Sequence, residues 1–527
     1  MKIISAYLLM FLVLLLTACS DTKSNPGEKV AAATNTDEML NPSPNVIPAI
    51  QEWHQGRGFF ELKQTVSIQT NHELKAVAQT FAQDIEKISG IALAVNNNSH
   101  AQNKIVLSLD IKDKSLGKEG YTIDIEDNVY IKANSTTGVF YATQTLLQIL
   151  AQDENKSKLP KGNIRDFPKI QNRQFMIDLG RKYFSMDYLK TSIRNMAWYK
   201  LNAFHLHFTD WSGFRLQSDK YPGLASKQSY SKEELRELQD YAAKYHVMII
   251  PEIDLPAHAT HILNYNANLG LSCDAMQTAK WLPKEKNDAK VGWMLDITRP
   301  EVREFIQDLF QEFLPLFDAP VFFIGGDEWQ YDNQKEACPE LVAYAKQQGY
   351  QHTGDVFVEW INEINTLVKS HGKTTHIWNW WRFSPSAKLK NVTDTQPDKD
   401  IVISVWNKLR EASIIEDGYS VILTPEEGAG ALYSTPGLNG TKPGDYGYFD
   451  SKNIYEKWQP KVSAQIKGYK VCLWSDGAEE QPEAWFDQHI ESQKAVFSEK
   501  MWGVQGSTNL AGFIDRKKQI GYAPSAQ

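Results

Sequence analysis

The chain is poor in cysteine, with four among 527 residues. So few cannot build a disulfide scaffold, and Cys273, Cys338 and Cys472 do not have the spacing of a metal-ligand set. A large excess of charge of one sign is also lacking. The net charge of -8 is mild for this length and no basic cluster offsets it, which argues against a nucleic-acid partner. The apolar run Ile3–Thr17 is shorter than the ~20 residues that a membrane-spanning helix needs. What remains is ordinary globular stock, 42% apolar and 23% charged, in a chain too long for one typical domain. The length fits one large barrel with a smaller companion. Aromatics are the compositional exception. Fifteen tryptophans can serve a large core or the flat walls of a ligand cleft.

The N-terminus has its own pattern. Met1 and Lys2 precede the apolar run, and small residues close it at Ala18, as in a secretory signal spanning residues 1–18. Leu16-Thr17-Ala18-Cys19 resembles a bacterial lipobox, which implies lipidation of Cys19 and attachment to a membrane through that lipid. Ser20 fits sorting to an outer membrane, on its periplasmic face or at the cell surface. The alternative is an ordinary signal peptide with an incidental cysteine. Residues 19–45, rich in Ser, Asn, Thr, Pro and Ala, read as a flexible tether. Of the remaining cysteines, Cys273 and Cys338 can pair in an oxidising compartment, and Cys472 lies in an apolar run suited to an inert thiol.

Two regions follow. Residues 46–165 alternate strand and helix. Leu74, Val77, Phe81 and Ile85 make one helical stripe, and the segments 104–109, 120–125 and 129–133 alternate as strands, the last two joined by Glu126-Asp127-Asn128. A helix is predicted over 138–151. This region forms a small α+β domain with no chemical constellation. Residues 166–527 switch to strands alternating with helices. The predicted strands are 174–179, 203–208, 247–252, 321–325, 374–378, 401–406, 420–423 and 470–474, with helices such as 186–198, 232–245, 300–316 and 356–370. Eight such units predict an α/β fold, a (β/α)8 TIM barrel. Thr298 before Pro300 reads as an N-terminal cap.

Polar and aromatic groups gather at the carboxyl ends of these strands, where a barrel carries its site. They are Asp178 and Arg181; Asp210 and Trp211; Glu252, Asp254 and His258; Asp327 and Glu328; Trp378, Asn379 and Trp380; Trp406; Tyr433; and Trp474 with Asp476. The sharpest segment is Phe323-Ile324-Gly325-Gly326-Asp327-Glu328-Trp329. Its glycines allow a bend or a close backbone approach. If its adjacent acids are partly buried, their repulsion raises one pKa, and a carboxyl kept protonated can act as a general acid. That is the need of glycosidic cleavage. A solvated acidic loop has the same spacing, so the pair alone leaves both readings open.

Gly325-Gly326-Asp327-Glu328 resembles the signature of glycoside hydrolase family 20, the β-N-acetylhexosaminidases. So do Asp178-Leu179-Gly180-Arg181-Lys182-Tyr183-Phe184, the run from Lys200 through His205-Leu206-His207 to Asp210, and Pro251-Glu252-Ile253-Asp254-Leu255-Pro256-Ala257-His258. Gly138-Val139-Phe140-Tyr141-Ala142-Thr143-Gln144-Thr145-Leu146 resembles that family's accessory domain. The resemblance implies a retaining enzyme that removes terminal β-linked N-acetylhexosamine from glycans with neither cofactor nor metal. The substrate's own acetamido oxygen would attack the anomeric carbon. Asp327 would orient the acetamido nitrogen, Glu328 would be the acid/base, and Tyr433 would hold the acetamido oxygen. Trp378, Trp406 and Trp474 would wall the sugar, and Arg181 and Asp476 would meet its hydroxyls. Asp210 and His258 would form a relay behind Glu328; without the family, His258 reads equally well as a structural loop histidine.

Several positions depart from that pattern. Trp474-Ser475-Asp476 stands where the family usually has Trp-x-Glu, and Ser434-Thr435 follows Tyr433 where an acid is common. Asp210-Trp211-Ser212-Gly213-Phe214-Arg215 replaces the usual Asp-Asp-Gln-Gly-Trp-Arg, and Ala257 replaces a glycine. The departures surround the sugar and spare the acid pair. Retained chemistry with altered recognition is therefore expected, with 6-modified N-acetylhexosaminides or a disaccharide, as for a lacto-N-biosidase, as candidate substrates. Two other classes fit parts of the pattern. One is a glycan-capturing lipoprotein on a degenerate barrel. The other is a metal-dependent hydrolase using His205, His207, Asp210 and His258.

Overall fold

The computed structural model describes residues 39–96, 103–110, 112–273, 292–329, 338–381, 393–406, 411–428, 430–438, 440–442 and 445–524. Cys19 and most of the expected tether lie outside them.

The small region is a seven-stranded sheet in the order Glu52–Glu61, Lys158–Asp166, Tyr121–Ile125, Val129–Ala133, Lys104–Ser108, Ser67–Gln69 and Ala94–Val95. Its alternation is clean where the sequence alternates. Tyr121, Ile123 and Ile125 pair antiparallel with Ala133, Ile131 and Val129, and all six are buried. Two helices pack on this sheet, Lys75–Ser89 and Thr136–Gln152. The first buries Val77, Phe81 and Ile85 and stops at Gly90, whose left-handed φ of 74° few other residues adopt cheaply. The second starts at Ser135, whose hydroxyl accepts from the Gly138 amide. Glu52–Glu61 at one edge, its neighbour Lys158–Asp166, and the short strands Ser67–Gln69 and Ala94–Val95 were not predicted. The first contains Gly56 and Gly58, shows no apolar alternation, and shifts register between Gln55 and Phe59.

The large region closes eight parallel strands into a barrel: Asn172–Asp178, Ala203–His207, Met248–Leu255, Val321–Gly325, Thr374–Trp378, Val402–Val405, Ser420–Leu423 and Ile466–Leu473. The eighth pairs with both the seventh and the first, which closes the ring. The first strand begins at Asn172 and the eighth at Ile466, slightly earlier than predicted. The α-helices Met186–Trp198, Lys232–Lys244, Pro300–Phe313 and Gly354–Ser370 fall where periodicity placed them, with a 3-10 turn at Leu314–Leu316. The expected cap at Thr298 is not made. Arg299 is the N-cap and has no side-chain cap bond, while the Thr298 hydroxyl donates to Asp296. Pro300 in the first turn sets the start instead.

The small domain meets the barrel through buried polar contacts. Arg173 on the first strand pairs with Glu119 at 2.7 Å, and the Trp502 indole donates to Asp166 at 2.7 Å. Cys273 and Cys338 form a disulfide that ties the loop after the third strand to the helix Pro339–Gln348. Cys472 is a buried free thiol that burial pushes up to about 11.

Candidate active site

The fourth strand delivers the acid pair through an unusual turn. Gly325, Gly326 and Glu328 all have positive φ, at 76°, 82° and 50°. Gly325 is required by proximity as well as by φ. A Cβ there would lie 1.8 Å from Asp254 Oδ1 and 2.5 Å from the Asp254 Cα. Glu328 and His258 (φ 51°) hold a conformation uncommon for non-glycine residues. Strain of this kind persists where the surroundings enforce it, commonly at functional sites.

The pair is split by depth. The Asp327 side chain is 14% exposed and that of Glu328 is 37%, so Glu328 faces the opening and Asp327 the floor. Burial raises the Asp327 carboxyl to about 6; His258 opposes the rise and Glu328 adds to it. His258 Nε2 lies 3.3 Å from Glu328 Oε2, and its Nδ1 lies 3.1 Å from Asp210 Oδ1. Burial disfavours a charged imidazole there, but Asp210, Asp254 and Asp327 outweigh it and hold His258 well above the ordinary histidine range.

Asp210 lies behind this line. It also approaches His207 at 2.9 Å and Arg181 at 2.7 Å, and the Trp211 amide donates to it. Burial opposes its charge, yet Arg181 and His258 hold it well below the carboxylate range. Its side chain is fully enclosed, so Asp210 acts on a ligand only through its neighbours. His207 continues inward to Glu252 at 2.7 Å, and Glu252 accepts from the Trp378 indole at 2.8 Å. The chain His258–Asp210–His207–Glu252–Trp378 thus joins the acid end to the aromatic floor. His205 and His207 both lie in the barrel core, each beside Glu252.

Trp378, Trp474 and Tyr433 converge as well. Trp378 and Trp474 have ring centres 6.1 Å apart, and Tyr433 lies 5.8 Å from Trp474. Tyr433 is placed by a two-residue strand, Tyr433–Ser434, paired parallel with Cys472 and Leu473. Trp406 stacks on Trp380 at 6.0 Å, and its amide donates to Asn379. Trp380, Trp381 and Trp329 are packing residues, and the Trp380 indole donates to the Trp329 carbonyl.

The opposite end centres on Arg181. Its guanidinium reaches Asp178 at 2.9 Å, Asp210 at 2.7 Å and Asp476 at 3.1 Å, and it lies 4.1 Å from the centre of the Trp211 ring. Burial raises Asp476 to about 6; Arg181 pulls it down, while Asp178 and Asp210 push it up. Ser475 docks on Asp178 through its amide and hydroxyl, which fixes the eighth strand end against the first.

Three further residues belong to the site and were not assigned a role from sequence. Asp254 stands beside Asp327, and its carboxylate oxygens make no hydrogen bond. Burial, with the Asp327 charge adding to it, raises Asp254 well above the carboxylate range. Its position at the third strand end was the available signal. Tyr446 lies 6.3 Å from Tyr433, and Glu426 is the acid whose charge both tyrosines feel. Glu426 is buried, and its amide donates to the Trp406 carbonyl. Glu426 and Tyr446 come from loops after the seventh strand that have no periodic signal.

Fold and site together define a class: a parallel (β/α)8 barrel with a carboxylate–histidine cluster and an aromatic box at the carboxyl ends of its strands. The family models make this specific. The glycosyl hydrolase family 20 catalytic domain matches residues 171–504, and that family's domain 2 matches residues 43–167. The chain belongs to glycosyl hydrolase family 20. It is 24% identical over 518 residues to a lacto-N-biosidase of Bifidobacterium bifidum, covering 95% of this chain and 43% of that protein. It is 28% identical over 473 residues to a beta-hexosaminidase of Porphyromonas gingivalis, covering 82% of this chain and 57% of that one. The chain therefore spans about half the length of these two relatives. A solved beta-N-acetylhexosaminidase from Bacteroides fragilis has the same fold, with a TM-score of 0.73 at 21% identity over 91% of this chain and 96% of that one.

Proposed function

We propose that the protein is a retaining glycoside hydrolase that removes β-linked N-acetylhexosamine from glycans by substrate-assisted catalysis. The observation that carries this reading is the split of the acid pair: a more exposed Glu328 backed by His258 and Asp210, and a deeper Asp327 whose charge Tyr433 feels. Glu328 donates its proton to the departing glycosidic oxygen as the C1–O bond breaks. The acetamido carbonyl oxygen attacks C1, giving an oxazolinium ion. Asp327, as carboxylate, accepts the acetamido N–H and stabilises the positive charge that develops there. The Tyr433 hydroxyl donates to the acetamido oxygen and orients it. Glu328, now ionised, takes a proton from water as that water attacks C1, and the ring opens to restore the acetamide. Trp378 and Trp474 offer apolar faces to the acetamido methyl and the sugar. The family and the names of the relatives support the same substrate class. A thiazoline analogue of the oxazolinium ion tests this: tight competitive inhibition is expected, and none would overturn the mechanism.

One observation favours a second reading, release of a disaccharide. At the Arg181 end, the short Asp476 side chain and the Trp211 ring stand where the family motifs differ, and the Bifidobacterium bifidum relative aligns with nearly the whole chain. Aryl lacto-N-bioside and aryl GlcNAc, GalNAc and 6-sulfo-GlcNAc substrates separate the readings by kcat/KM. We also infer attachment to the bacterial outer membrane through a lipid on Cys19, on the strength of Leu16-Thr17-Ala18-Cys19 and Ser20. Cys19→Ala should move the protein from the membrane to the soluble fraction; unchanged membrane partition would refute the anchor.

A further inference from the structure

We propose that Asp254, His258, Asp327 and Glu328 form an inhibitory binding site for a divalent transition-metal cation such as zinc. The ligand atoms come from two neighbouring strand ends. His258 Nε2 lies 3.3 Å from Glu328 Oε2, 3.8 Å from Asp327 Oδ2 and 3.9 Å from Asp254 Oδ2. In a tetrahedral zinc site with bonds of about 2.0–2.2 Å, neighbouring ligand atoms stand roughly 3.3–3.6 Å apart. Asp254, His258 and Asp327 each offer one ligand atom within 4.8 Å of the other two, so side-chain shifts on the order of an ångström bring these three around one ion, with Glu328 Oε2 beside His258 Nε2 as the fourth.

A second observation points to a ligand. Asp254 is 1% exposed, and neither of its carboxylate oxygens makes a hydrogen bond. His258 Nε2 and Asp327 Oδ1 are likewise buried without one. The charged His258 is the present counter-ion of this cluster, and a divalent cation that displaces the His258 Nε2 proton and that of Asp254 to solvent supplies coordination bonds where no hydrogen bond is made. The imidazole is already oriented for the task, because its other nitrogen is held by Asp210 at 3.1 Å. A carboxylate behind a ligating histidine is the usual support of a zinc site.

The donor set also selects the ion. Calcium takes about six to eight oxygens and magnesium a near-ideal octahedron with retained waters, whereas an imidazole with carboxylates suits zinc, copper, nickel or cobalt. Entry is from the cleft, past the partly exposed Glu328. Two neighbouring clusters, Asp178–His207–Asp210 and His207–Glu252–Asp254, are less suited. Their members Asp210 and Glu252 are already committed to His258, Arg181 and Trp378. The ion would occupy the carboxylates that the proposed mechanism assigns to the proton and the acetamido group. Inhibition therefore rests on the catalytic reading, whereas binding does not.

The test uses the full chain, freed of metal with a chelator that is then removed. Zinc binding is followed by calorimetry and cobalt binding by visible absorption. One ion per chain with intense tetrahedral cobalt bands is expected, and Asp254→Asn should weaken binding by about tenfold or more. N-acetylglucosamine should compete with the ion in the unaltered protein, which keeps the test open if Asp254→Asn does not fold. No binding, or binding unaffected by both Asp254→Asn and the sugar, would overturn the site. Binding lost in Asp254→Asn while saturating zinc leaves turnover intact would support the site and refute the catalytic reading instead.

Discussion

The two ends of the pocket are built differently. At the acid end, a line of side chains from adjacent strands backs Glu328: His258 bridges Asp210 and Glu328, and Asp210 also meets His207 and Arg181. At the other end, one guanidinium carries the arrangement, shared among Asp178, Asp210 and Asp476 beside the Trp211 ring. The first design sets the proposed proton donor against a histidine that is itself held by a buried carboxylate. The second can change what it offers a ligand by altering one side chain, as at Asp476. Asp210 belongs to both ends, so in the proposed mechanism recognition of the sugar at Arg181 is linked to the acid.

Breaking the acid end should give the largest effects. Glu328→Gln should lower kcat on N-acetylhexosaminides by ~10³-fold, about 4 kcal/mol, with KM little changed. Asp327→Asn should cost about 10²-fold in kcat, since the carboxylate that stabilises the acetamido nitrogen is lost. Loss of binding alone, with kcat preserved, would contradict both assignments. Arg181→Met should chiefly raise KM, and the ratio of disaccharide to monosaccharide kcat/KM should shift about tenfold on Asp476→Glu. Equal changes for all substrates would erase the distinction between the ends.

The pH profile sharpens the comparison. Burial raises both Asp327 and Asp476 to about 6, so both gain protons as pH falls through that value. A neutral Asp327 carboxyl no longer offers its charge to the acetamido nitrogen, and kcat/KM should therefore fall below pH about 6. The limb should persist in Asp476→Asn; its disappearance would assign the titration to the Arg181 end. Stability, in contrast to turnover, tests the disulfide between the segments that follow the third and fourth strands. Reducing Cys273–Cys338, which spans a 65-residue separation, should lower stability by about 2–4 kcal/mol, seen as a lower Tm.

The barrel was largely legible because its strands are short apolar runs separated by periodic helices, and Asp327 and Glu328 stood out at the end of one such run. Placement of side chains by long-range pairing was less legible. Tyr433 is positioned by a two-residue strand against Cys472 and Leu473, too short for any pattern. Tyr446 and Glu426 arrive on irregular loops, and their proximity to Tyr433 is purely tertiary. In the small domain, Gly56 and Gly58 concealed the outer strand, which is held by register with Lys158–Asp166 instead of by its own composition. The depth difference between Asp327 and Glu328 also required the structure. Adjacent residues differ there because the turn at Gly325, Gly326 and Glu328 points one inward and the other outward.

The central claim, that the substrate supplies the nucleophile while Asp327 positions it, is tested most directly with aryl glycosides of N-acetyl, N-fluoroacetyl, N-difluoroacetyl and N-trifluoroacetyl glucosamine. Fluorine withdraws electron density from the carbonyl oxygen without greatly changing its size. With the acetamido oxygen as nucleophile, kcat/KM should fall steeply and progressively with each fluorine. A flat series would contradict that claim and make an enzyme carboxylate the nucleophile.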